Sequence, residues 1–233
     1  MPDTVPLAVP SGFEQQLAGL GVELFADRLA QIGDYLARLL AMNEQMNLTA
    51  IVDAQQAWEK HALDALSLLP QIASLPAGAR LADVGSGGGV PGMILAVARP
   101  DINVTLIEST QKKAAFLEAA AAALGLANVT VRAERAEALH RGQLARSFDV
   151  VTARAVARLS ELVPIVAPLV RPNGLLLLIK GQRADEELGA AKQVLGRHRT
   201  VHERTVGTPT GRIVVLRCRG DARKPQAGHR SGR

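Results

Sequence analysis

The sequence has 233 residues, 48% hydrophobic and 21% charged, which suits a globular protein with its own core and excludes a disordered chain. It holds no apolar run of the ~18 to 20 residues a membrane span needs, no secretory pattern in Met1–Pro10, and one cysteine, Cys218, which excludes a disulfide framework or cysteine zinc cluster and suits the reducing cytoplasm. Aromatics, at 3%, argue against stacking platforms for single-stranded nucleic acid.

Residues 1–10 contain three prolines and read as a loose arm. Ser11, with Glu14 three residues on, has the spacing of a capping box. Phe25–Met42 places Leu29, Ile32, Leu36, Leu39 and Leu40 on one helical stripe. Gln55–Leu69 does the same with Trp58, Ala62, Leu66 and Leu69, and Pro70 discourages continuation. Residues 1–75 are thus a predicted helical extension.

At Arg80 the period changes. Apolar runs at Leu81–Val84, Val104–Ile107, Val129–Val131, Phe148–Thr152 and Leu175–Ile179 read as buried parallel strands. They alternate with helical stretches at Pro91–Ala98, Thr110–Leu124, Leu159–Val170 and Ala184–Leu195. Such alternation predicts a doubly wound α/β sheet. Arg199–Val206 and Ile213–Arg217 flank a Gly/Pro/Thr turn with no helix between them, as in an antiparallel hairpin. Five parallel strands closed by that hairpin over residues 76–219 resemble the Rossmann-like sheet of class I S-adenosylmethionine-dependent methyltransferases. Residues 220–233 are a basic tail, expected to be disordered. From Arg217 to Arg233 there are 6 Lys+Arg and one Asp, which suits a phosphate-binding arm or a solubilising tail. Charge is lopsided overall: 7 Lys+Arg against 12 Asp+Glu from Met1 to Leu117, then 20 against 10 from Glu118 to Arg233. A basic surface for phosphate would explain this, as would an Arg-rich proteome.

The segment Asp83-Val-Gly85-Ser-Gly87-Gly-Gly89-Val90-Pro91-Gly92 joins a predicted strand to a predicted helix, the setting of a nucleotide-binding glycine loop. Two registers fit. Gly85-x-Gly87-x-Gly89 is the methyltransferase pattern. Gly87-x-Gly89-x-x-Gly92, with Glu108 about 20 residues on, is the dinucleotide pattern. The first is favoured by three acids. Asp83 at the strand end can meet a cationic amino-acid moiety. Glu108 ends the second strand, where a carboxylate accepts from two ribose hydroxyls. Ala136-Glu137 follows the third, beside the expected adenine edge. A dinucleotide enzyme would also need a substrate domain for which the chain has little room.

The stretches Asn47-Leu-Thr, Trp58-Glu-Lys-His61-Ala-Leu-Asp64, Asp83 to Gly92, Glu108-Ser-x-x-Lys-Lys113, Arg135-Ala-Glu137, Phe148-Asp-x-x-x-x-Arg154-Ala and Lys180-Gly181 together resemble the bacterial RsmG or GidB family of small-subunit rRNA methyltransferases. The resemblance covers roughly residues 45–181. It implies methyl transfer from S-adenosylmethionine to N7 of guanine 527 in the 530 loop of 16S rRNA. It implies cofactor contacts from Gly85, Val90, Ala136, Glu137 and Arg154, to which the glycine pattern adds Gly87 and Gly89.

Guanine N7 carries a lone pair and no proton, so no general base is nominated. Positioning and desolvation would do the work. Lys180, just past the fifth strand, is a candidate rRNA contact or else a solvated strand-end lysine. Asn47 is a candidate contact to the flipped base or the methionine carboxylate, or else a helix cap. Lys112, Lys113 and Arg135 are weaker RNA candidates, while His61 and Trp58 read as packing residues. Five scattered histidines give no metal site. The expected partner is 16S rRNA, the small subunit or an assembly intermediate, with the enzyme a cytoplasmic monomer. The alternatives are an NAD(P)-dependent oxidoreductase, a non-catalytic RNA-binding assembly factor on the same scaffold, and a methyltransferase for another acceptor.

Overall fold

The structure is a computed structural model and describes residues 4–154 and 156–220. The described residues form a seven-stranded sheet of order β3-β2-β1-β4-β5-β7-β6. Its strands are β1 (Arg80–Val84), β2 (Asn103–Ile107), β3 (Val129–Arg132), β4 (Phe148–Arg154), β5 (Val170–Lys180), β6 (Thr200–Gly207) and β7 (Arg212–Cys218). The first five are parallel. β7 runs antiparallel between β5 and β6, inserting the hairpin into the sheet edge. β4 is buried from Phe148 to Ala153, because a parallel strand covered on both faces needs apolar residues at consecutive positions. β6, the outer strand, exposes His202, Glu203 and Arg204 and has a register shift between His202 and Arg204. Charge and irregularity blunt that open edge against further strand pairing.

Helices α6 (Gly92–Ala98), α7 (Gln111–Ala123), α8 (Leu159–Val166) and α9 (Ala184–Arg197) link the strands. Before the sheet come α1 (Phe13–Gly19), α2 (Ala26–Met46), α3 (Ala54–Ala57), a π-helical turn at Trp58–Leu63, α4 (Asp64–Leu66) and α5 (Leu69–Ile72). Leu29, Ile32, Leu36 and Leu39 of α2 are buried in the same apolar cluster as Trp58, Leu66, Leu81, Ile94 and Leu106. The other sheet face packs on a second cluster that includes Val151, Leu162, Val166, Leu178 and Leu195.

Several local expectations differ. The helix start at residue 11 is not a capping box: Gly12 is the cap residue, and no side chain caps α1. The arm is held, since Leu7 N donates to Gly33 O at 3.1 Å. Pro70 opens α5 rather than ending a helix, where its missing N–H costs nothing. The helix after Leu159 gives way to a 3-10 turn at Ala167–Leu169, and Val170 already belongs to β5. The expectation for the basic tail falls on residues 221–233, outside the described residues.

The helical extension grips the glycine loop directly. Tyr35, fully buried on α2, donates its hydroxyl to Gly88 O. Burial raises the phenol's pKa, so it stays a donor. Tyr35→Phe should therefore cost about 1 kcal/mol by leaving a buried carbonyl unpaired. Urea unfolding of the two proteins would show it, and an unchanged midpoint would mean that the bond contributes nothing.

Candidate active site

The loop after β1 is built for close backbone approach. Gly85, Gly87 and Gly89 have φ of 68°, 56° and 94°. A Cβ on Gly89 would lie 2.8 Å or less from Met93, Leu117 and Tyr35 atoms, so both its angle and its surroundings require glycine. At Gly92 a Cβ would lie 2.3 Å from Leu106 Cδ2 and 2.9 Å from Asp83 Cβ, which lets α6 start hard against the sheet. Val90 is buried, and Pro91 is the cap residue of α6.

Asp83 lies beneath this loop, 1% exposed. One carboxylate oxygen accepts from Thr152 Oγ1 at 2.9 Å, the other from Gly92 N at 3.1 Å. Its backbone carbonyl accepts from Ser86 Oγ at 2.8 Å. Burial pushes the carboxyl up to about 6, against the pull of these hydrogen bonds. Asp83 thus braces the loop from below and is not among the residues lining the cleft.

Glu108, also buried, directly follows β2 and reaches back. Its oxygens accept from Gly87 N at 2.8 Å and from Thr110 N at 2.7 Å. A ribose diol at this strand end would share that carboxylate with the loop amide. Ala136 is buried and Glu137 exposed in the 3-10 turn Ala136–His140 after β3. Gln111 Nε2 donates to Ala133 O at 3.1 Å, holding α7 to that segment.

The cleft has two adjoining lobes. The one beside the glycine loop, about 190 Å³, is lined by Gly85, Ser86, Gly87, Gly88 and Val90 together with Leu39 and Leu48. The other, about 370 Å³, is lined by Lys60, Asp64, Ile179, Lys180, Glu187 and Thr210 among others. Thr49, His61 and Arg154 line both.

These three form one chain of hydrogen bonds. Arg154, at the carboxyl end of β4, donates to Lys60 O at 2.8 Å and to His61 Nδ1 at 2.9 Å. A guanidinium can only donate. His61 Nδ1 is therefore the bare nitrogen, and Nε2 carries the proton toward Thr49 Oγ1 at 2.9 Å. Burial first, and the Arg154 charge second, bring His61 down to about 3, so the ring is neutral near pH 7. Thr49 Oγ1 also accepts from Ile51 N at 3.1 Å. With both lone pairs engaged, its own hydrogen is left for an acceptor in the cleft.

Asp64 follows the π turn. Its Oδ2 accepts from Thr210 in the β6–β7 turn, while Oδ1 is buried with no hydrogen-bond partner among the described residues. Lys180 is 8% exposed at its side chain, 2.9 Å from Glu187 and donating also to Ala157 O. Asn47 is exposed and ends α2 with φ 49°, a left-handed conformation that asparagine tolerates. Its neighbour Asn43, buried, accepts from Thr49 N at 2.8 Å and sets the turn.

Sequence reading alone missed Thr49 and Asp64 and took His61 for packing. His61 is indeed buried, yet both its nitrogens are committed within the cleft wall. The usable signal was a histidine and an aspartate three residues apart on a predicted helix, beside its apolar stripe. Among the described residues no three of His, Cys, Asp and Glu cluster as metal ligands, and no helix is long and apolar enough to cross a membrane.

The sheet order, the glycine loop and the acid at the end of β2 define a class I S-adenosylmethionine-dependent methyltransferase. A solved S-adenosylmethionine-dependent methyltransferase from Aquifex aeolicus shares the fold with a TM-score of 0.54 and 16% identity, over 70% of this chain and 92% of that one. The chain belongs to the GidB family, rRNA small subunit methyltransferase G, whose model matches residues 28–214. It is 60% identical to ribosomal RNA small subunit methyltransferase G of Sorangium cellulosum, over 98% of this chain and 95% of that protein. The protein of the same name from Halorhodospira halophila is 44% identical over 88% and 95%.

The donor set fits S-adenosylmethionine: glycine-loop main chain, the Glu108 carboxylate for a ribose, and the Ala136–Glu137 turn beyond it. Glu108→Ala should weaken its binding by about 1–3 kcal/mol, the worth of a charge-assisted hydrogen-bonding carboxylate. Calorimetric titration would measure this. Unchanged affinity would place the ribose elsewhere.

Proposed function

We propose that this rRNA methyltransferase modifies N7 of a single guanine, at position 527 in the 530 loop of 16S rRNA, in the cytoplasm. One observation favours N7 over an acceptor that would need His61 as its base. The imidazole in the cleft has its bare nitrogen occupied by Arg154 and is neutral near pH 7, so it is not available as a base. An exocyclic amine must lose a proton during methylation. Guanine N7 need not: its lone pair attacks the methyl carbon, the carbon–sulfur bond breaks toward sulfur, and the positive charge passes to the purine.

The chain's own residues then orient and shield. The glycine loop, Glu108 and the Ala136–Glu137 turn hold the methyl donor, with Asp83 fixing the loop and its negative charge beneath it. Arg154 spans the boundary between the lobes. Thr49 donates its hydroxyl to the base, with guanine O6 as the fitting acceptor. Asp64 supplies a negative charge beside the cationic product ring. Lys180 and Asn47 are the proposed rRNA contacts, and Lys180 would have to exchange its Glu187 pairing for phosphate.

The Thr49 role has its own test. Thr49→Val keeps the shape and removes the hydroxyl, and should lower kcat about tenfold at unchanged S-adenosylmethionine affinity, as the loss of one hydrogen bond would. Thr49→Ser should retain activity. Equal activity in Thr49→Val would remove Thr49 from the mechanism.

The test of function uses labelled S-adenosylmethionine with 16S rRNA and with small subunits from a strain lacking the enzyme. Mass spectrometry of the digested RNA should find 7-methylguanosine at one guanine of the 530 loop. Transfer to another atom or another loop would overturn the proposal.

A further inference from the structure

The opposite end of the sheet holds a second concavity, of about 430 Å³, lined by Arg146, Arg171, Arg197, Arg199, Arg219 and His198 among others. The five arginines come from separate parts of the chain: the loop before β4, the start of β5, the end of α9, the α9–β6 junction and the end of β7. All five are exposed, and no carboxylate lines the concavity among the described residues. Arg171 is held by Asp149 at 2.6 Å. Arg197 also complements the carboxyl end of α9, which accounts for one cation and not for five. Arg197 and Arg219 have no ion pair among the described residues. Beyond Gly220 the sequence adds Arg223, Lys224, Arg230 and Arg233 against one acid, Asp221.

We propose that this arginine-lined concavity is a second RNA site, taking phosphodiester groups of the rRNA away from the methylated base. Guanidinium forks suit phosphate oxygens in pairs, and among the described residues Arg197 and Arg219 have no carboxylate to give up. Ligands of open α/β sheets bind at the carboxyl ends of the strands, so this end does not belong to the cleft. β5 connects the two: Val170 at the concavity pairs with Phe148 and Ile179 in the cleft pairs with Arg154, six steps of β4 at ~3.3 Å or roughly 20 Å. The substrate must therefore extend well past the reacting nucleotide. The site needs only that the substrate be a ribosomal RNA, not that N7 be the acceptor.

The test is a double variant of the full chain, Arg197→Gln with Arg219→Gln, titrated against labelled 16S rRNA over a range of KCl concentrations. Affinity should fall about tenfold, and the slope of log K against log salt should become less steep by about 1.4, as for two lost single-strand phosphate contacts. S-adenosylmethionine affinity should be unchanged, which shows that the variant is folded and its cleft intact. Arg197→Lys with Arg219→Lys should keep most of the slope, a rescue that a merely structural role would not give. If the wild type binds and the glutamine variant matches it in affinity and slope, the second site is wrong. If the wild type shows no salt-dependent affinity for the RNA or for small subunits lacking the methyl group, the ribosomal substrate itself is wrong and the site falls with it.

Discussion

Arg154→Met should cut methyl transfer by about a hundredfold or more in kcat/KM, the largest effect expected of any single side chain in the cleft. The change removes the group that joins Lys60 O to His61 and that both lobes share. It leaves a buried imidazole nitrogen and a carbonyl without their donor, so the cleft wall loses its shape as well as its charge. Arg154→Lys should not restore activity, because one ammonium cannot reproduce two divergent N–H bonds from a planar group. A second readout separates this role from general damage. The Arg154 charge is the second cause of the low His61 pKa, so its removal should move the His61 titration upward. Proton NMR across acidic pH would follow it. Activity within a few fold of wild type, or an unmoved His61, would break the link between Arg154 and the cleft.

The pH dependence of stability should change sharply in Asp83→Asn. The Asp83 carboxyl stands at about 6 in the folded protein against 3.8 unperturbed. Folding then favours its protonated form, so its contribution is fully present below 3.8 and lost as pH rises through 6, about 3 kcal/mol in all. His61 has the opposite sign. Its value of about 3 against 6.5 makes its contribution present above 6.5 and lost as pH falls toward 3. Between pH 4 and 6 the two slopes nearly cancel in the wild type. Asparagine can still accept from Gly92 N and donate to Thr152 Oγ1, so the brace survives without the charge. Asp83→Asn should therefore expose the His61 slope, losing about 2 kcal/mol relative to wild type on going from pH 6 to pH 4. Urea unfolding of both proteins from pH 4 to 8 would measure the difference. Parallel profiles would mean that Asp83 titrates normally.

Much of the sheet was legible because its strands obey a one-dimensional rule. Leu175–Ile179 is a continuous apolar run, and Leu81–Val84 and Phe148–Thr152 are runs broken only by Asp83 and by Asp149 and Thr152, as suits strands covered on both faces. The glycine loop was legible because glycines, a preceding acid and a following proline each mark a backbone event. What periodicity could not supply was pairing across the chain. Asp64 meets Thr210, and Tyr35 meets Gly88, through tertiary packing that leaves no local trace. Thr49 hides for another reason: its role follows from the tautomer of His61, which Arg154 imposes from β4. The fraying of Leu159–Val170 into a 3-10 turn and strand shows the same limit, since its last residue is claimed by pairing with Phe148.

The turn at Trp58–Leu63 holds the helical wall in phase. A π turn holds one residue more than the α-helical turn it replaces, and each residue of an α-helix advances the side-chain direction by about 100°. Relaxing that run to α geometry with all six residues kept would swing Asp64 about a quarter-turn around its axis, away from Thr210. Every chemically active side chain of the cleft could still be encoded. The aperture they share would nonetheless be gone, so the cleft depends on how this turn is wound as much as on which residues it carries.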